Sequence, residues 1–561
     1  MNKFNKSILI VVLSLFLVLP AQTRAGGLNT VYNLVGETDY EAYGFPVRFI
    51  GDVNNDTYPD FAVGAGNNPY GGVEEAGKVY IYSGQTGAEI RSHGGTIPAG
   101  WFGSAISAIG DTNGDGYADY AIEDPRWNSN PNDPWSPEVG RIYAYSGQTG
   151  AVLWTYTGTY DRQFLWGNSQ MAPAGDLNGD SISDLLAGAP GVDPVRFDGI
   201  DFPGAILALS GVDGTVIKQY NCPRTRCYLG MSLDGNFDLN GDGIKDVLAG
   251  DPINPTLDSH RGRAFALSGA DFSTILLDIT GPVVQDDSQF GVTVSWSNDM
   301  NGDGKLDLII GSRENIGAIT WAGAVYVYSG ADGTQIYKSS GTDEYGLFGQ
   351  ALSRMGDVNN DGFPDFTAAS TLSTGMGQPS AGRAEVWSGK SGLKWTQVGG
   401  GAADEQFGSD VNAGVDVNKD GYPDAIIGAI GGKFGSLIPG RARVVLGNPA
   451  WTVTGSNVDV YPNSTTHLTF SSVTNTGDTP STYNSATPNF RTRQGPNQEV
   501  WQVTTTAVFS GNVTVCLKYN PATYANINQL QIQHFESGPW ANKTTSNDTV
   551  NNLICGVVTS L

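Results

Sequence analysis

From Phe290 onward the apolar and polar positions follow an order that recurs along the chain. Val292-Thr293-Val294-Ser295-Trp296 alternates with a period of two and reads as a half-buried strand, whereas Leu308-Ile309-Ile310-Gly311 is continuously apolar and reads as a strand covered on both faces. Gly323-Ala324-Val325-Tyr326-Val327-Tyr328-Ser329-Gly330 supplies a third strand, and after the turn Ala331-Asp332-Gly333 the stretch Thr334-Gln335-Ile336-Tyr337 supplies a fourth. The third-strand signature returns at Val79–Gly84, Ile142–Gly147, Ile206–Gly211, Ala264–Gly269 and Ala384–Gly389. No stretch shows helical periodicity. Four short antiparallel strands in a period near sixty residues is the layout of a propeller blade, so the predicted fold is all-β: a β-propeller over residues 27–449. Its last copy stops after Arg443-Val444-Val445-Leu446-Gly447 without a fourth strand. Thr30–Gly36 precedes the first copy and resembles the missing strand, which predicts that the N-terminal segment closes the ring and leaves no open edge. From Trp451 the period ends and Thr, Asn, Ser and Val dominate. Residues 450–561 are expected to form a small separate β-sandwich.

Between the first and second strands of every copy lies D-x-N-x-D-x-x-x-D. It starts at Asp52, Asp111, Asp176, Asp238, Asp299, Asp357 and Asp416, so the spacings are 59, 65, 62, 61, 58 and 59 residues and the blades number seven. Positions 1, 3, 5 and 9 offer side-chain oxygens and position 7 a backbone carbonyl, a hard all-oxygen set that suits Ca²⁺; the absence of His and Cys argues against Zn²⁺. The ligating residues expected on this reading are Asp52, Asn54, Asp56, Tyr58 and Asp60; Asp111, Asn113, Asp115, Tyr117 and Asp119; Asp176, Asn178, Asp180, Ile182 and Asp184; and Asp238, Asn240, Asp242, Ile244 and Asp246. The remaining three loops give Asp299, Asn301, Asp303, Lys305 and Asp307; Asp357, Asn359, Asp361, Phe363 and Asp365; and Asp416, Asn418, Asp420, Tyr422 and Asp424. Up to seven ions follow, one per blade. Gly116, Gly243, Gly304, Gly362 and Gly421 permit a left-handed turn at position 6, where Thr57 and Ser181 predict strain in the first and third loops. An EF-hand would require Glu at position 12 and flanking helices, and neither is present.

Phe102-Gly103, Phe290-Gly291, Phe348-Gly349 and Phe407-Gly408, together with Gly188-Ala189-Pro190 behind an acidic loop, resemble FG-GAP repeats, the blades of the integrin α-subunit propeller. The resemblance covers about residues 27–449 and implies a seven-bladed propeller with calcium in the loops between first and second strands. Tyr43-Gly44, Trp166-Gly167 and Leu229-Gly230 depart from Phe-Gly, and Glu123-Asp124-Pro125 and Ala368-Ala369-Ser370 depart from Gly-Ala-Pro. Residues 450–561, with Val513–Cys516 and Leu553–Gly556, resemble a β domain appended to bacterial surface and secreted proteins.

The composition adds a compartment. Met1–Ala25 carries two lysines, an apolar run from Ile8 to Pro20 and then Ala21-Gln22-Thr23-Arg24-Ala25, a signal peptide expected to be cleaved after Ala25. No other segment is apolar enough to span a bilayer, so a secreted or cell-surface protein, extracellular or periplasmic, is expected. Cys222 and Cys227 bracket a short loop while Cys516 and Cys555 lie on two strand-like stretches, a distribution that suits disulfides in an oxidising compartment. The formal charge is −25, and losing Lys3, Lys6 and Arg24 with the leader takes it to −28, which argues against a nucleic-acid partner. The acidic loops hold 21 of the 56 Asp and Glu, so seven dications would bring the mature chain to −14.

Alternation along each blade puts the acidic loops and the third-to-fourth turns on one face of the disc. The longer second-to-third and blade-to-blade loops occupy the other, where Trp127, Trp135, Phe202, Arg261, Trp321, Tyr160, Arg162 and Arg224 are the ligand-contact candidates. There is no H-E-x-x-H and no G-x-S-x-G, and His93, His260, His467 and His534 show no ligand spacing. Asp286-Asp287 and Asp404-Glu405 are expected to be solvated loop acids rather than catalytic ones. No catalytic residue is assigned. The leading expectation is a monomeric calcium-binding adhesion module for a glycan or protein ligand; the alternative is a carbohydrate-active lyase or hydrolase with its site on the metal-free face.

Overall fold

The structure is a computed structural model. It describes residues 8–11, 29–130, 136–164, 170–191, 204–223, 227–253, 261–282, 288–358, 362–375, 377–431, 438–447, 451–452, 455–463, 466–475, 477–478, 481–484, 500–503, 505, 508–519, 528, 530–534, 541–549 and 552–561. Two compact units emerge: Tyr32–Val358 with Gly362–Val445, and Leu446–Leu561 with the N-terminal residues through Val31.

The larger unit is a seven-bladed propeller. Six blades are consecutive four-stranded antiparallel sheets, and the fifth consists of Thr293–Ser297, Asp307–Ser312, Ala324–Ser329 and Gln335–Ser340. The seventh takes Phe407–Val415, Asp424–Ala429 and Arg441–Leu446 from one end of the chain and Asn29–Val35 from the other, so the N-terminal strand closes the ring as expected. Gly36 N–H donates to Gly440 O at 2.9 Å beside that junction. Burial follows the apolar pattern. Each second strand, from Asp60–Ala65 to Asp424–Ala429, is buried along its whole length, whereas an outermost strand such as Gln335–Ser340 is largely exposed or half-buried.

Two devices join neighbouring blades. The aromatic or aliphatic residue of each Phe-Gly position is buried (Tyr43, Phe102, Leu229, Phe290, Phe348, Phe407), so the departures from Phe keep the packing; Trp166 lies outside the described residues. The following glycine meets the Gly-Ala-Pro glycine of the preceding blade backbone to backbone. A Cβ at Gly188, Gly250 or Gly428 would lie 1.9, 1.9 or 1.8 Å from the carbonyl oxygen of Gly230, Gly291 or Gly44. The second device, at several junctions, is a clasp from a fourth strand to the third-to-fourth turn of the next blade. Tyr32 Oη donates to Gly84 O and Gln85 O, Arg91 to Ser146 O and Gln148 O, Trp154 Nε1 to Gly211 O, and Lys218 Nζ to Leu177 O, Gly269 O and Ala270 O.

At the centre, adjacent first strands are laced by side chains. Asp410 Oδ2 accepts from Val47 N–H and Asn412 Oδ1 from Phe49 N–H, while Asp234 Oδ2 accepts from Trp296 N–H and from Arg354. Arg354 and Asp234 belong to blades six and four, so this pair reaches across an intervening blade.

In the smaller unit Gly455–Asn463, Thr466–Asn475, Val508–Lys518, Leu553–Val558 and Thr544–Asp548 form a five-stranded sheet. A second sheet contains Ser481–Asn484, Val500–Val503, Ile8–Val11, Ile532–His534 and Ala541–Asn542. Ile8–Val11, the start of the apolar run that reads as the core of a leader, is thus also a strand, parallel to both of its neighbours. Val460, Leu468, Phe470, Val515, Leu517, Ile532 and Ile554 share the core. Both cysteine pairs are disulfides, Cys222–Cys227 and Cys516–Cys555, the latter linking directly paired strands.

Candidate metal loops and ligand face

Apart from the sixth, whose residues 359–361 are not described, each acidic loop is a nest of backbone N–H groups folded around its own side chains. In the second loop Asp111 Oδ1 accepts from Gly114 and Asp115 N–H, Asp111 Oδ2 from Gly116 N–H, Asn113 Oδ1 from Asp115 N–H, and Asp115 Oδ1 from Tyr117 N–H, at 2.8–3.1 Å. The same set recurs in the fifth loop around Asp299, Asn301 and Asp303. Position 6 has φ of 88° at Gly116 and 90° at Gly243, and also 75° at Thr57 and 70° at Ser181, so those two residues do carry the strain expected of them.

The Asp at position 9 has a second role that the spacing alone does not reveal. Asp60, Asp119, Asp184, Asp246 and Asp307 are buried, and each grips two elements of its blade with its two oxygens. Oδ2 accepts from the N–H of position 2 (Val53, Thr112, Leu177, Leu239, Met300), and Oδ1 from the glycine that ends the third-strand signature (Gly84, Gly147, Gly211, Gly269, Gly330). Those glycines have no room for a side chain: a Cβ would lie 1.7–2.0 Å from the carbonyl oxygen of the residue preceding position 9. The recurrent Ser-Gly was the available signal for this contact, legible as a repeat but not as a function.

Burial raises the position 9 carboxyl groups, with the other loop carboxylates adding to it: Asp60 is pushed up to about 7 and Asp307 to about 6, and Asp119, Asp184 and Asp246 are raised. Among the described residues no Asp of the first five loops is salt-bridged to Lys or Arg. Three Asp and an Asn per loop, short of positive charge, are the donor types a hard divalent cation takes, although among the described residues no three carboxylates of a loop lie within 4.8 Å of one another. Asn359 and Asp361 of the sixth loop lie outside the described residues.

Of the ligand-face candidates, Trp135, Phe202 and Arg224 lie outside the described residues. Trp321, 43% exposed, meets Tyr345, 52% exposed, edge to face at 6.5 Å between ring centroids. Both residues have left-handed φ, 45° and 58°, held by Trp321 N–H to Asn315 Oδ1 and Tyr345 N–H to Thr320 O. Trp127 is engaged within its own blade, with the Arg141 guanidinium 3.5 Å from its ring centroid, and Trp101 has Arg126 at 5.1 Å. Tyr160 packs partly buried against the second and third blades. Arg162 is half-buried beside the exposed Asp161, and Arg261 Nε is buried without a hydrogen-bond partner. Trp321–Tyr345 is a pair that combines exposure with a backbone held by hydrogen bonds, and Tyr345 is one of the blade-to-blade loop aromatics expected on this face.

Glu405 corrects the reading of Asp404-Glu405 as a solvated pair. It is 1% exposed, pairs with Arg443 at 2.8 Å and accepts from Gly401 and Ala402 N–H, a structural role set by the blade junction. His93 is likewise a packing residue, its ring 4.0 Å from that of Tyr145 and its Nε2 2.7 Å from Tyr120 Oη. Among the described residues no helix is long and apolar enough to cross a membrane.

Seven blades carrying these corners and loops define an FG-GAP-repeat, integrin-α-like propeller protein. Residues 50–82 and 290–328 match the FG-GAP repeat family model. The chain is 28% identical over 302 residues to integrin alpha-V of Gallus gallus and 32% identical over 250 residues to integrin alpha-5 of Xenopus laevis, covering 51% and 42% of this chain. It spans 27% and 22% of the length of those relatives.

Proposed function

We propose that the protein is a calcium-binding extracellular adhesion module that recognises a glycan or protein ligand through the face opposite its acidic loops. The integrin-α-like propeller and the two disulfides support an extracellular ligand-binding role. The observation that carries the choice of face is the Trp321–Tyr345 pair, a preformed aromatic platform that loses little conformational freedom when a ligand covers it. In each loop the side chains of positions 1, 3, 5 and 9 and the carbonyl of position 7 would hold Ca²⁺. The ion would supply the positive charge that the loop lacks and fix the hairpin between first and second strands, a stabilising rather than a chemical contribution.

Two measurements test this. Ca²⁺ should raise the melting temperature and EDTA lower it; a melt indifferent to both removes the cation. Trp321→Ala with Tyr345→Ala should abolish retention on a glycan array or an extracellular-matrix protein panel while leaving the melt within about 1 kcal/mol of the parent, because both rings are exposed. Undiminished binding would move the ligand elsewhere, and released oligosaccharide would favour the enzyme reading.

A further inference from the structure

We propose that Asn113, Asn178, Asn240 and Asn301 are deamidation sites, and that closure of the acidic loops gates their conversion. Each occupies position 3, is exposed, and is followed by a glycine (Gly114, Gly179, Gly241, Gly302). The backbone nitrogen of the residue after Asn is the nucleophile of the reaction, and glycine shields it least. That nitrogen loses its proton and bonds to the Asn Cγ, the Cγ–Nδ2 bond breaks, and the side-chain nitrogen leaves as ammonia. Water then opens the succinimide at either carbonyl, giving Asp or isoaspartate. One water enters and one ammonia departs, with no oxidant or reductant. Asn54, Asn359 and Asn418 occupy position 3 of the other three loops but precede Asn55, Asn360 and Lys419, whose side chains crowd the nucleophile. The molecule therefore contains its own controls.

The folded loop holds the reactants out of alignment. The glycine N–H points at the position 1 carboxylate, with distances of 2.8 Å to Asp111, 2.6 Å to Asp176, 2.6 Å to Asp238 and 2.5 Å to Asp299. The new N–Cγ bond must take the direction of that hydrogen, so the N–H must first turn away from the Asp. Each Asn Oδ1 is also pinned by the N–H of position 5, at 2.8–2.9 Å. Conversion therefore requires local opening, and its rate follows the open population. Mutual repulsion of the loop carboxylates favours opening, and a cation that binds only the closed form suppresses it. That last step rests on the cation reading above; the identity of the four sites does not.

The products change the loop in opposite directions. Asp at position 3 adds a fourth carboxylate to the same loop. Isoaspartate inserts a methylene into a backbone segment whose far end is fixed by the two hydrogen bonds of position 9.

The test is incubation of the full chain at mildly alkaline pH with EDTA or with Ca²⁺, with synthetic loop peptides alongside, followed by peptide mass mapping of the amide-to-acid change. In EDTA the four Asn-Gly positions should convert while Asn54, Asn359 and Asn418 stay amide. Free Ca²⁺ at about ten times its Kd should slow the conversion roughly tenfold. If the four positions remain amide in EDTA while the peptides convert, the site assignment is overturned. Equal rates with and without Ca²⁺ in a protein whose melting temperature Ca²⁺ raises overturn the gating alone; equal rates in a protein whose melt ignores Ca²⁺ overturn the cation reading with it.

Discussion

Replacing Asp184 by Ala separates the two roles of the position 9 carboxylate. Asp184 is fully buried, and its oxygens accept from Leu177 N–H at 2.8 Å and Gly211 N–H at 3.0 Å, both buried. Ala leaves those two donors without partners, and a buried donor left unsatisfied costs about 1–3 kcal/mol, so the loss is about 2–6 kcal/mol. An opposing term exists. Burial and the nearby Asp180 and Asp176 raise the Asp184 carboxyl, so its charged form is disfavoured in the fold and removing it relieves that penalty. The net effect should fall in the lower half of the range. Asp184→Asn keeps one acceptor and should cost less than Ala. The decisive comparison is made in EDTA by thermal or urea unfolding. A carboxylate that staples the loop to the Ser210-Gly211 turn is needed with or without metal, so Asp184→Ala must be less stable than the parent even in EDTA. Asp176→Asn, at position 1 of the same loop, should lower stability chiefly when Ca²⁺ is present. Identical unfolding of Asp184→Ala and the parent in EDTA would refute the staple and leave position 9 a ligand only.

Two further outcomes follow from residues outside the loops. Burial, with Arg91 adding to it, depresses His93 to about 4, so the unfolded chain binds its proton first as pH falls through 6.5. The stability His93 contributes as a neutral ring is present above that pH and is lost between about 6.5 and 4, amounting to as much as about 3 kcal/mol. His93→Gln should flatten that part of the stability-pH profile relative to the parent, and parallel profiles would contradict it. Tyr32→Phe removes the hydroxyl that donates to Gly84 O at 3.0 Å and Gln85 O at 2.7 Å across the ring closure, and should destabilise the propeller by about 1–2 kcal/mol in urea unfolding; a change below a few tenths would show that the clasp adds nothing measurable.

The blades were legible because their cause is local. The continuous apolar run at Leu308–Ile310 reports two covered faces, and that strand is buried in the interior of a sheet; the alternation at Val292–Trp296 marks a strand but not its burial, since Val294–Ser297 is buried without a break where Ser295 and Trp296 meet Asp234 of the neighbouring blade. The closing strand was legible because one repeat lacked a fourth strand and a spare one stood at the other end of the chain. What stayed hidden depends on contacts between residues far apart in sequence. The two donors to Asp184 lie 7 and 27 residues away, and the partner of Arg354 lies 120 away; each of these residues alone looks like an ordinary charged position. Glu405 misled for the same reason, since its partner Arg443 is 38 residues away. On the ligand face the aromatic content of the loops was readable, but not that Trp127 is engaged by Arg141 while Trp321 is held open by its backbone.

These contacts also explain why the two faces can serve different ends. On the acidic face the blades use equivalent residues in the same way. Position 9 and the Ser-Gly turn interlock, and a side chain from the preceding fourth strand reaches the same turn in the first four blades. A substitution there disturbs one blade and its junction with the next, so that surface has little freedom to vary. The opposite face repeats its corner backbone but not its side chains: Glu75, Trp321 and Ser380 share one left-handed position, and Ala99, Tyr345 and Asp404 another. Equivalent corners carry different side chains, Glu75 against Trp321 and Ala99 against Tyr345, with matching backbone hydrogen bonds such as Ala99 N–H to Glu74 O and Tyr345 N–H to Thr320 O. Left-handed backbone occurs on both faces, at Thr57 and Ser181 as at Trp321 and Tyr345, so what separates the faces is that the acidic loops repeat their side chains while the opposite corners vary theirs, the freedom that the proposed ligand surface would need.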